Sequence, residues 1–170
     1  MASWARPTSA VFMEMCALAM LPSVEPPERS ERLTKCCTGT PLDLRTGKTL
    51  GDGLDRIAEC EQMRLAGGYD HNYALHKGLD MGLAARLSSP LTGRVMDVYT
   101  DQPGIQVYSA CTTNFTGGKG GAHYGNFCGV CLETQHFPDS PNNPQFPGTT
   151  VLRPGEHYDT TTVYAFSVAK

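Results

Sequence analysis

Short alternating segments recur between strong turn signals from Tyr69 to the C-terminus, and this feature constrains the fold more than any other. The turns are marked by glycine and proline, as in Ser89-Pro90, Gln102-Pro103-Gly104 and Arg153-Pro154-Gly155. Regularly spaced short strands with such turns are typical of antiparallel sandwiches and barrels. Helical segments do not alternate with these strands, so a parallel βαβ sheet is not expected. We therefore predict an all-β, antiparallel fold.

Side-chain alternation predicts seven strands in this region. The last strand is the clearest, because Tyr164, Phe166 and Val168 all fall on one face of an extended segment. The predicted strands are Tyr73–His76, Leu83–Ser88, Arg94–Thr100, Ile105–Ala110, Val130–Glu133, Thr149–Arg153 and Thr161–Val168.

One segment upstream of the strands has the period of a helix. Apolar residues recur at i, i+3 and i+4 from Leu54 to Leu65, which predicts one short amphipathic helix over this range. Asp52 is the predicted N-cap, and Gly67-Gly68 is the predicted end of the helix.

The first 37 residues show no sustained hydrophobic period. A short apolar run, Ala10–Leu21, has the position of a secretion signal, but Glu14 interrupts it and no clean cleavage site follows. We therefore predict an irregular or disordered N-terminal arm over residues 1–37 and one folded domain over residues 38–170.

Composition limits the class of protein and its partners. At 170 residues, with 40% hydrophobic and 18% charged residues, the chain is typical of one globular domain with a core. The net charge of −3 and the absence of a basic run argue against a nucleic-acid partner, since phosphate binding needs clustered cations. No apolar stretch reaches the roughly 18 residues of a transmembrane helix, so no membrane partner is expected.

The cysteines indicate the redox compartment. Their number, seven, is odd and their spacing is irregular, which favours reduced thiols and a cytoplasmic protein over a disulfide framework. Cys128 and Cys131 form a C-x-x-C pair, but the second pair of ligands that a structural zinc site needs is missing at ligand spacing. We therefore expect both thiols to be small buried hydrophobic residues, and we expect no metal.

Glu133 is the first candidate for chemistry. The period of two places it on the face opposite Val130 and Leu132, at the end of a predicted strand. The loop after it, residues 134–147, contains four prolines that restrict its backbone. A carboxylate held in place by a strand end and a restricted loop suits a general base, although a solvated surface glutamate fits the same pattern.

Asp70 and Gln106 are the two other candidates. Asp70 follows two glycines, where the backbone can approach a ligand closely, but the same pattern fits a turn with Asp70 as a local acceptor. Gln106 shares a strand face with Tyr108, and an amide beside a phenol suits either sugar hydroxyls or a solvated outer face.

Several segments together resemble a known family. GGYDHNYAL, DQPGIQVYS, CLETQHFPDSPNNPQFP and VLRPGEHYDTTTVYAFSVA are similar, in this order, to segments in the C-terminal half of the aldose 1-epimerases, also called galactose mutarotases. The similarity extends from about Thr38 to Lys170, and the L-E-T-Q-x-x-P-D and L-R-P-G-E-x-Y patterns are the most specific parts.

The resemblance implies a fold and an activity. It implies a partial antiparallel β-supersandwich of galactose-mutarotase type that interconverts the α and β anomers of hexopyranoses such as galactose and glucose, without cofactor or metal. By the same resemblance, Glu133 is the general base that removes the C1 hydroxyl proton. Asp70 binds sugar hydroxyls, and Gln106 also contacts the sugar.

The comparison with the family also shows what this sequence lacks. The family's general acid is a histidine in an N-H-S-Y-F-N-L-like segment upstream of the aspartate motif, and no such segment occurs in the 170 residues. His71 is interpreted as structural support for Asp70 rather than as a substitute acid. Three functions therefore compete: an aldose 1-epimerase, a non-catalytic carbohydrate-binding remnant and a truncated gene product. Half a sandwich would expose sheet edges, so we expect either marginal stability or association of the chain with itself or with another chain.

Overall fold

Two antiparallel sheets make up the protein. The structure is a computed structural model that describes the backbone of residues 12–15 and 17–21 and the whole of residues 37–169. Within these ranges the strands are β1 (Phe12–Met15), β2 (Ala17–Leu21), β3 (Lys48–Thr49), β4 (Asp70–Leu75), β5 (Gly82–Ser88), β6 (Arg94–Thr100), β7 (Gly104–Tyr108), β8 (Cys131–Gln135) and β9 (Thr162–Val168). The predicted all-β antiparallel class is confirmed.

The strand order shows how the sheets are built. The five-stranded sheet has the order β3-β1-β5-β6-β9, and the four-stranded sheet has the order β2-β4-β7-β8. The two sheets meet along the edge strands β9 and β8. There the Tyr164 hydroxyl of β9 donates a hydrogen bond of 3.0 Å to the backbone carbonyl of Leu132 on β8. A second bond of 2.6 Å joins the hydroxyls of Thr134 and Thr162 across the same edges.

One predicted strand is absent from the described structure. Thr149–Arg153 carries alternating side chains but forms no strand, and Val151 and Leu152 are more than half exposed. An extended segment becomes a strand only where a second backbone pairs with it. No strand of the described chain pairs with Thr149–Arg153, so the prediction of a strand there was wrong.

The predicted helix is broken into three short pieces. They are helix α1 (Leu50–Asp55), a 3-10 turn (Ile57–Glu59) and helix α2 (Glu61–Ala66). Cys60 is extended between the last two, with φ −129° and ψ 113°, so one continuous helix over 54–65 was a wrong prediction.

No helix of the described chain is long and apolar enough to cross a membrane.

The helix ends show which capping predictions were right. The side chain of Thr49, not that of Asp52, is the N-cap, because its hydroxyl accepts the backbone N–H of Asp52 at 3.2 Å. Asp52 lies instead in the first turn, where a carboxylate is favoured by the helix dipole. Gly67 ends α2 in the left-handed conformation at φ 75°, as predicted.

Two strands lie within residues 1–37, where irregular or disordered chain is predicted. β1 pairs with β5 in the five-stranded sheet, and β2 pairs with β4 in the four-stranded sheet. These short segments therefore contribute one strand to each sheet. The division between an arm and a domain at residues 37 and 38 stays a prediction.

The core lies between the inner faces of the sheets and the segment that contains the helices. It is formed by fully buried side chains from both sheets and from residues 37–66, among them Leu42, Leu50, Met63, Val98 and Ile105. Two tyrosines of the four-stranded sheet side tie this segment down: Tyr69 donates to the carbonyl of Pro41 at 2.9 Å, and Tyr73 donates to that of Leu42 at 3.1 Å. The core thus supports the sheet that carries the candidate site.

Candidate functional site

One face of the four-stranded sheet packs into the core, and the opposite face is polar. On β8, Leu132 is buried among core residues, whereas Glu133 is exposed on the other side. Directly opposite residues of an antiparallel pair lie on the same face of the sheet. Five of the side chains that share the face of Glu133 on β4, β7 and β8 define the polar face: Asp70, Asn72, Gln106, Tyr108 and Glu133.

The strand register brings the three predicted site residues onto this face. Gln106 of β7 lies directly opposite Glu133 of β8 on one side and Asn72 of β4 on the other. Asp70 lies two residues before Asn72 on β4, so it is a diagonal neighbour of Gln106. Opposite residues have Cβ atoms about 4.5–5.5 Å apart, and diagonal neighbours remain within reach of long side chains. The three groups therefore converge on an area that suits a small polar ligand.

Asp70 and Gln106 are joined by a direct hydrogen bond. The side-chain nitrogen Nε2 of Gln106 donates to Oδ1 of Asp70 at 2.8 Å. A carboxylate has about four lone-pair sites, so Asp70 has further acceptor sites for ligand hydroxyls. The carboxylate is exposed and the carboxamide is half-buried, so a ligand can approach both from solvent.

Glu133 occupies the edge strand of this sheet and opens to solvent. Its backbone pairs with β7, which fixes its place opposite Gln106. The loop after β8 is tied by an edge-to-face pair of Phe137 and Phe146, whose ring centroids are 5.2 Å apart. Asp139 adopts a left-handed conformation at φ 59° and accepts hydrogen bonds from the side-chain amides of Asn142 and Asn143. Side-chain contacts thus hold this loop together, in addition to the restriction by its prolines.

Asn72 belongs to the polar face but was not predicted from the sequence. It is 3% exposed, and neither its Nδ2 nor its Oδ1 has a hydrogen-bond partner in the described part of the chain. A Cβ atom at Gly104 would lie 2.8 Å from Oδ1 of Asn72 and 2.9 Å from the Phe137 ring, so only glycine leaves room for both. Leaving a buried polar group unpaired costs about 1–3 kcal/mol, which makes Asn72 the least satisfied residue of the site.

His71 points away from the polar face into the interior. Its ring atom Nδ1 accepts the backbone N–H of Asp70 at 3.0 Å, and the ring is buried. Burial lowers the pKa of His71, although the nearby Asp70 carboxylate and a backbone hydrogen bond to Gln62 oppose the shift. A neutral, inward-facing imidazole of this kind holds the backbone of Asp70 and lies on the opposite side of the sheet from Glu133.

Tyr108 completes the polar face next to Asp70. Its hydroxyl lies 2.9 Å from that of Thr112 and accepts the Thr112 backbone N–H at 3.4 Å. The sequence pairs Tyr108 with Gln106 on one face, and the burial alternation along β7 shows this arrangement. The phenol therefore borders the site as a second hydroxyl-bonding group.

The C-x-x-C pair differs from its prediction. Cys128 and Cys131 are free thiols, and both are exposed rather than buried, because Cys128 lies in a turn and Cys131 faces the same side of β8 as Glu133. Partial burial, Glu133 and Cys128 together raise the pKa of the Cys131 thiol, so it stays protonated at neutral pH. In the described chain, no group of three or more His, Cys, Asp or Glu side chains is arranged to hold a metal ion.

Comparisons with known proteins agree on one family. The family model described as aldose 1-epimerase matches residues 29–165. The galactose mutarotase of Mus musculus is 44% identical over 135 residues, which is 77% of this chain and 36% of the mouse protein. The aldose 1-epimerase of Escherichia coli (strain K12) is 36% identical over 137 residues, which is 78% of this chain and 38% of the bacterial protein.

Solved structures show the same fold. A crystal structure of an aldose epimerase homologue from C. elegans has a TM-score of 0.73 and 26% identity, and the match covers 98% of this chain and 48% of that protein. A galactose 1-epimerase from Lactobacillus acidophilus, 24% identical with a TM-score of 0.71, supports the fold over 97% of this chain and 46% of that protein. The chain thus spans less than half the length of each of these relatives.

Proposed function

The chain belongs to the aldose 1-epimerase family, and on that premise we propose that its polar face is a hexose site that takes part in the interconversion of the α and β anomers of hexopyranoses such as galactose and glucose. The observation that carries the proposal is the convergence of Asp70, Gln106 and Glu133 on one face of adjacent strands. These residues fall in the D-H-N, Q-P-G-x-Q and L-E-T-Q segments that resemble the family.

Glu133 is the proposed general base. Its carboxylate takes the proton of the C1 hydroxyl, the C1=O bond forms, and the bond from C1 to the ring oxygen breaks as that oxygen is protonated. Rotation about C1–C2 and reclosure on the other face give the second anomer, and the two protons return. The reaction needs neither metal nor redox cofactor, because it moves only protons and one C–O bond. A positioned proton-transfer group typically contributes about 10²–10⁴-fold to the rate.

Asp70 and Gln106 are the proposed binding groups. The carboxylate accepts hydrogen bonds from sugar hydroxyls, and the carboxamide can both donate to and accept from them. Their mutual hydrogen bond of 2.8 Å supports this role, because it orients both groups toward the same side of the sheet before a sugar arrives.

Hexose binding without turnover is the second candidate. The specific observation in its favour is that the polar face of β4, β7 and β8 carries no histidine, and the described His71 faces the interior. The ring oxygen therefore has no imidazole donor on this face. Either another group protonates it, or the chain binds hexose without opening the ring.

Polarimetry on freshly dissolved α-D-galactose and α-D-glucose tests the proposal. Faster mutarotation than in buffer alone, at equal pH and ionic strength, supports the epimerase. An unchanged rate together with a calorimetric binding isotherm for equilibrated galactose supports the binding protein. The absence of both signals would overturn the hexose site itself.

The partners and the compartment complete the proposal. We propose a cytoplasmic protein that acts on a small aldose and binds neither nucleic acid nor membrane, in keeping with its net charge of −3 and with the free thiols of its described cysteines. Self-association through β9 is also proposed. That strand ends the five-stranded sheet and exposes Val163, Tyr164, Phe166 and Val168.

A further inference from the structure

Asn72 differs from the rest of the polar face in being buried and unsatisfied. The side chains of Asp70 and Gln106 are bonded to each other, that of Tyr108 is bonded to Thr112, and Glu133 is exposed. The Asn72 amide has no hydrogen-bond partner in the described chain, although both of its polar atoms are buried. Buried polar groups are nearly always paired in native proteins, and the exceptions concentrate at functional sites.

The position of Asn72 beside Gln106 indicates what the amide can do. The two residues are directly opposite each other on β4 and β7, and their side chains share a face. Gln106 instead donates to Asp70, its diagonal neighbour on the same strand as Asn72. Gln106 thus lies between two hydrogen-bonding groups on β4 and is bonded to one of them.

We propose that Asn72 is a positioning residue of the hexose site, which receives the side-chain amide of Gln106 when sugar hydroxyls engage the carboxylate of Asp70. This inference rests on the proposed function. Each amide carries one acceptor and two donor hydrogens, so Asn72 and Gln106 can satisfy each other reciprocally. Gly104 approaches Oδ1 of Asn72 closely, and both polar atoms of the amide are buried, which keeps water from competing for it.

The exchange couples sugar binding to the state of the buried amide. In the free protein, the Asn72 amide is unpaired, whereas in the bound protein it is paired with Gln106. Binding therefore relieves a cost that the free protein carries, and Asn72 contributes to affinity without touching the sugar. A residue with only a structural role would contribute to stability instead.

The substitution Asn72→Leu separates these two roles. Leucine branches at Cγ as asparagine does but has no polar atoms, so it removes two unsatisfied buried groups, and thermal stability should stay the same or rise. Affinity for equilibrated D-galactose, measured by calorimetry, should fall about tenfold, because Gln106 loses its second partner. The matched control is Gln102→Leu, since Gln102 is a buried amide outside the polar face that donates to Thr160 at 2.6 Å. It should lower stability and leave galactose affinity unchanged.

A second measurement uses the unaltered chain and needs no variant to fold. In ¹⁵N-resolved spectra, galactose should shift the side-chain amide signals of both Asn72 and Gln106. Equal galactose affinity of Asn72→Leu and wild type, or no shift of the Asn72 amide in saturated wild type, would overturn this inference alone. A wild type that binds no hexose overturns the proposed function and this inference together.

Discussion

The polar face of β4, β7 and β8 and the C-terminal strand β9 are both open to solvent, but they differ in what lies behind them. The side of β4, β7 and β8 opposite the polar face packs into the core, where Ile105 is 0% exposed. Strand β9 is exposed on both sides, and Phe166 is 77% exposed. Exposure backed by a core presents polar groups in a fixed geometry, which suits a binding site. Exposure of apolar groups on an edge strand suits a contact with another protein surface.

The largest effect is expected from Glu133→Gln, which tests the polar face as a catalytic surface. Glutamine keeps the shape of the side chain but cannot accept the proton, so any mutarotation by the chain should fall by about 10²–10⁴-fold. The measurement is polarimetry on fresh α-D-galactose. Glu156→Gln is the matched control, since this exposed glutamate lies in the loop before β9, and its rate should equal that of wild type. An unaffected rate in Glu133→Gln would show that Glu133 is not the general base.

The second effect tests whether the strands of the polar face are more firmly packed than β9. Ile105→Ala should lower the free energy of unfolding by about 3 kcal/mol, because it opens a cavity in the core behind the polar face. Phe166→Ala should change it by no more than about 0.5 kcal/mol in dilute solution, since that side chain packs against little. Urea unfolding of both variants gives the comparison. Similar losses would mean that β9 is as firmly packed as the core strands.

The third effect concerns association through β9. Phe166→Lys places a charge on the exposed edge strand, which opposes pairing with a second chain. If the chain self-associates by this strand, the dissociation constant measured by sedimentation should rise at least about tenfold. Galactose affinity should not change, because Phe166 lies outside the polar face. A monomer at all concentrations in wild type would contradict association through β9.

The smallest effect is a pH dependence that arises behind the polar face. Burial lowers the pKa of His71 in the folded chain below its unfolded value near 6.5. The unfolded chain therefore binds the proton more readily, and the stability that the neutral ring contributes is present above about pH 6.5 and is lost as pH falls through the folded pKa. His71→Gln should flatten this part of the stability curve in thermal melts between pH 5 and 8. If the stability of His71→Gln falls as steeply with pH as that of wild type, groups other than His71 cause the pH dependence.

Predictions from sequence succeeded where local chemistry decides the structure. Arg94–Thr100 was placed as a strand with the observed bounds, since its alternation and its flanking turn residues agree. Gly67 was correctly predicted to end a helix, because a left-handed residue there favours glycine. The convergence of Asp70, Gln106 and Glu133 followed from the resemblance to the family, not from spacing alone. Their chemical roles remain predictions.

Other features depend on partners that are distant in the sequence. Thr149–Arg153 has a strand pattern but no neighbouring backbone, and Cys60 interrupts a helical period that looked continuous. Asparagine is mostly found on protein surfaces, but Asn72 is buried next to Gly104, which lies more than 30 residues away in the sequence. The exposure of Cys131 likewise depends on which side of β8 packs into the core.

The sequence by itself determined the antiparallel class, most strand positions and the family, because turn residues, the period of two and short motifs are local properties. The tertiary structure alone decided which faces are buried, since burial depends on what packs against a face. It placed Gln106 between Asp70 and Asn72 and left Asn72 without a partner in the described chain. It also left β9 exposed on both sides, because no second layer of the described chain covers that strand.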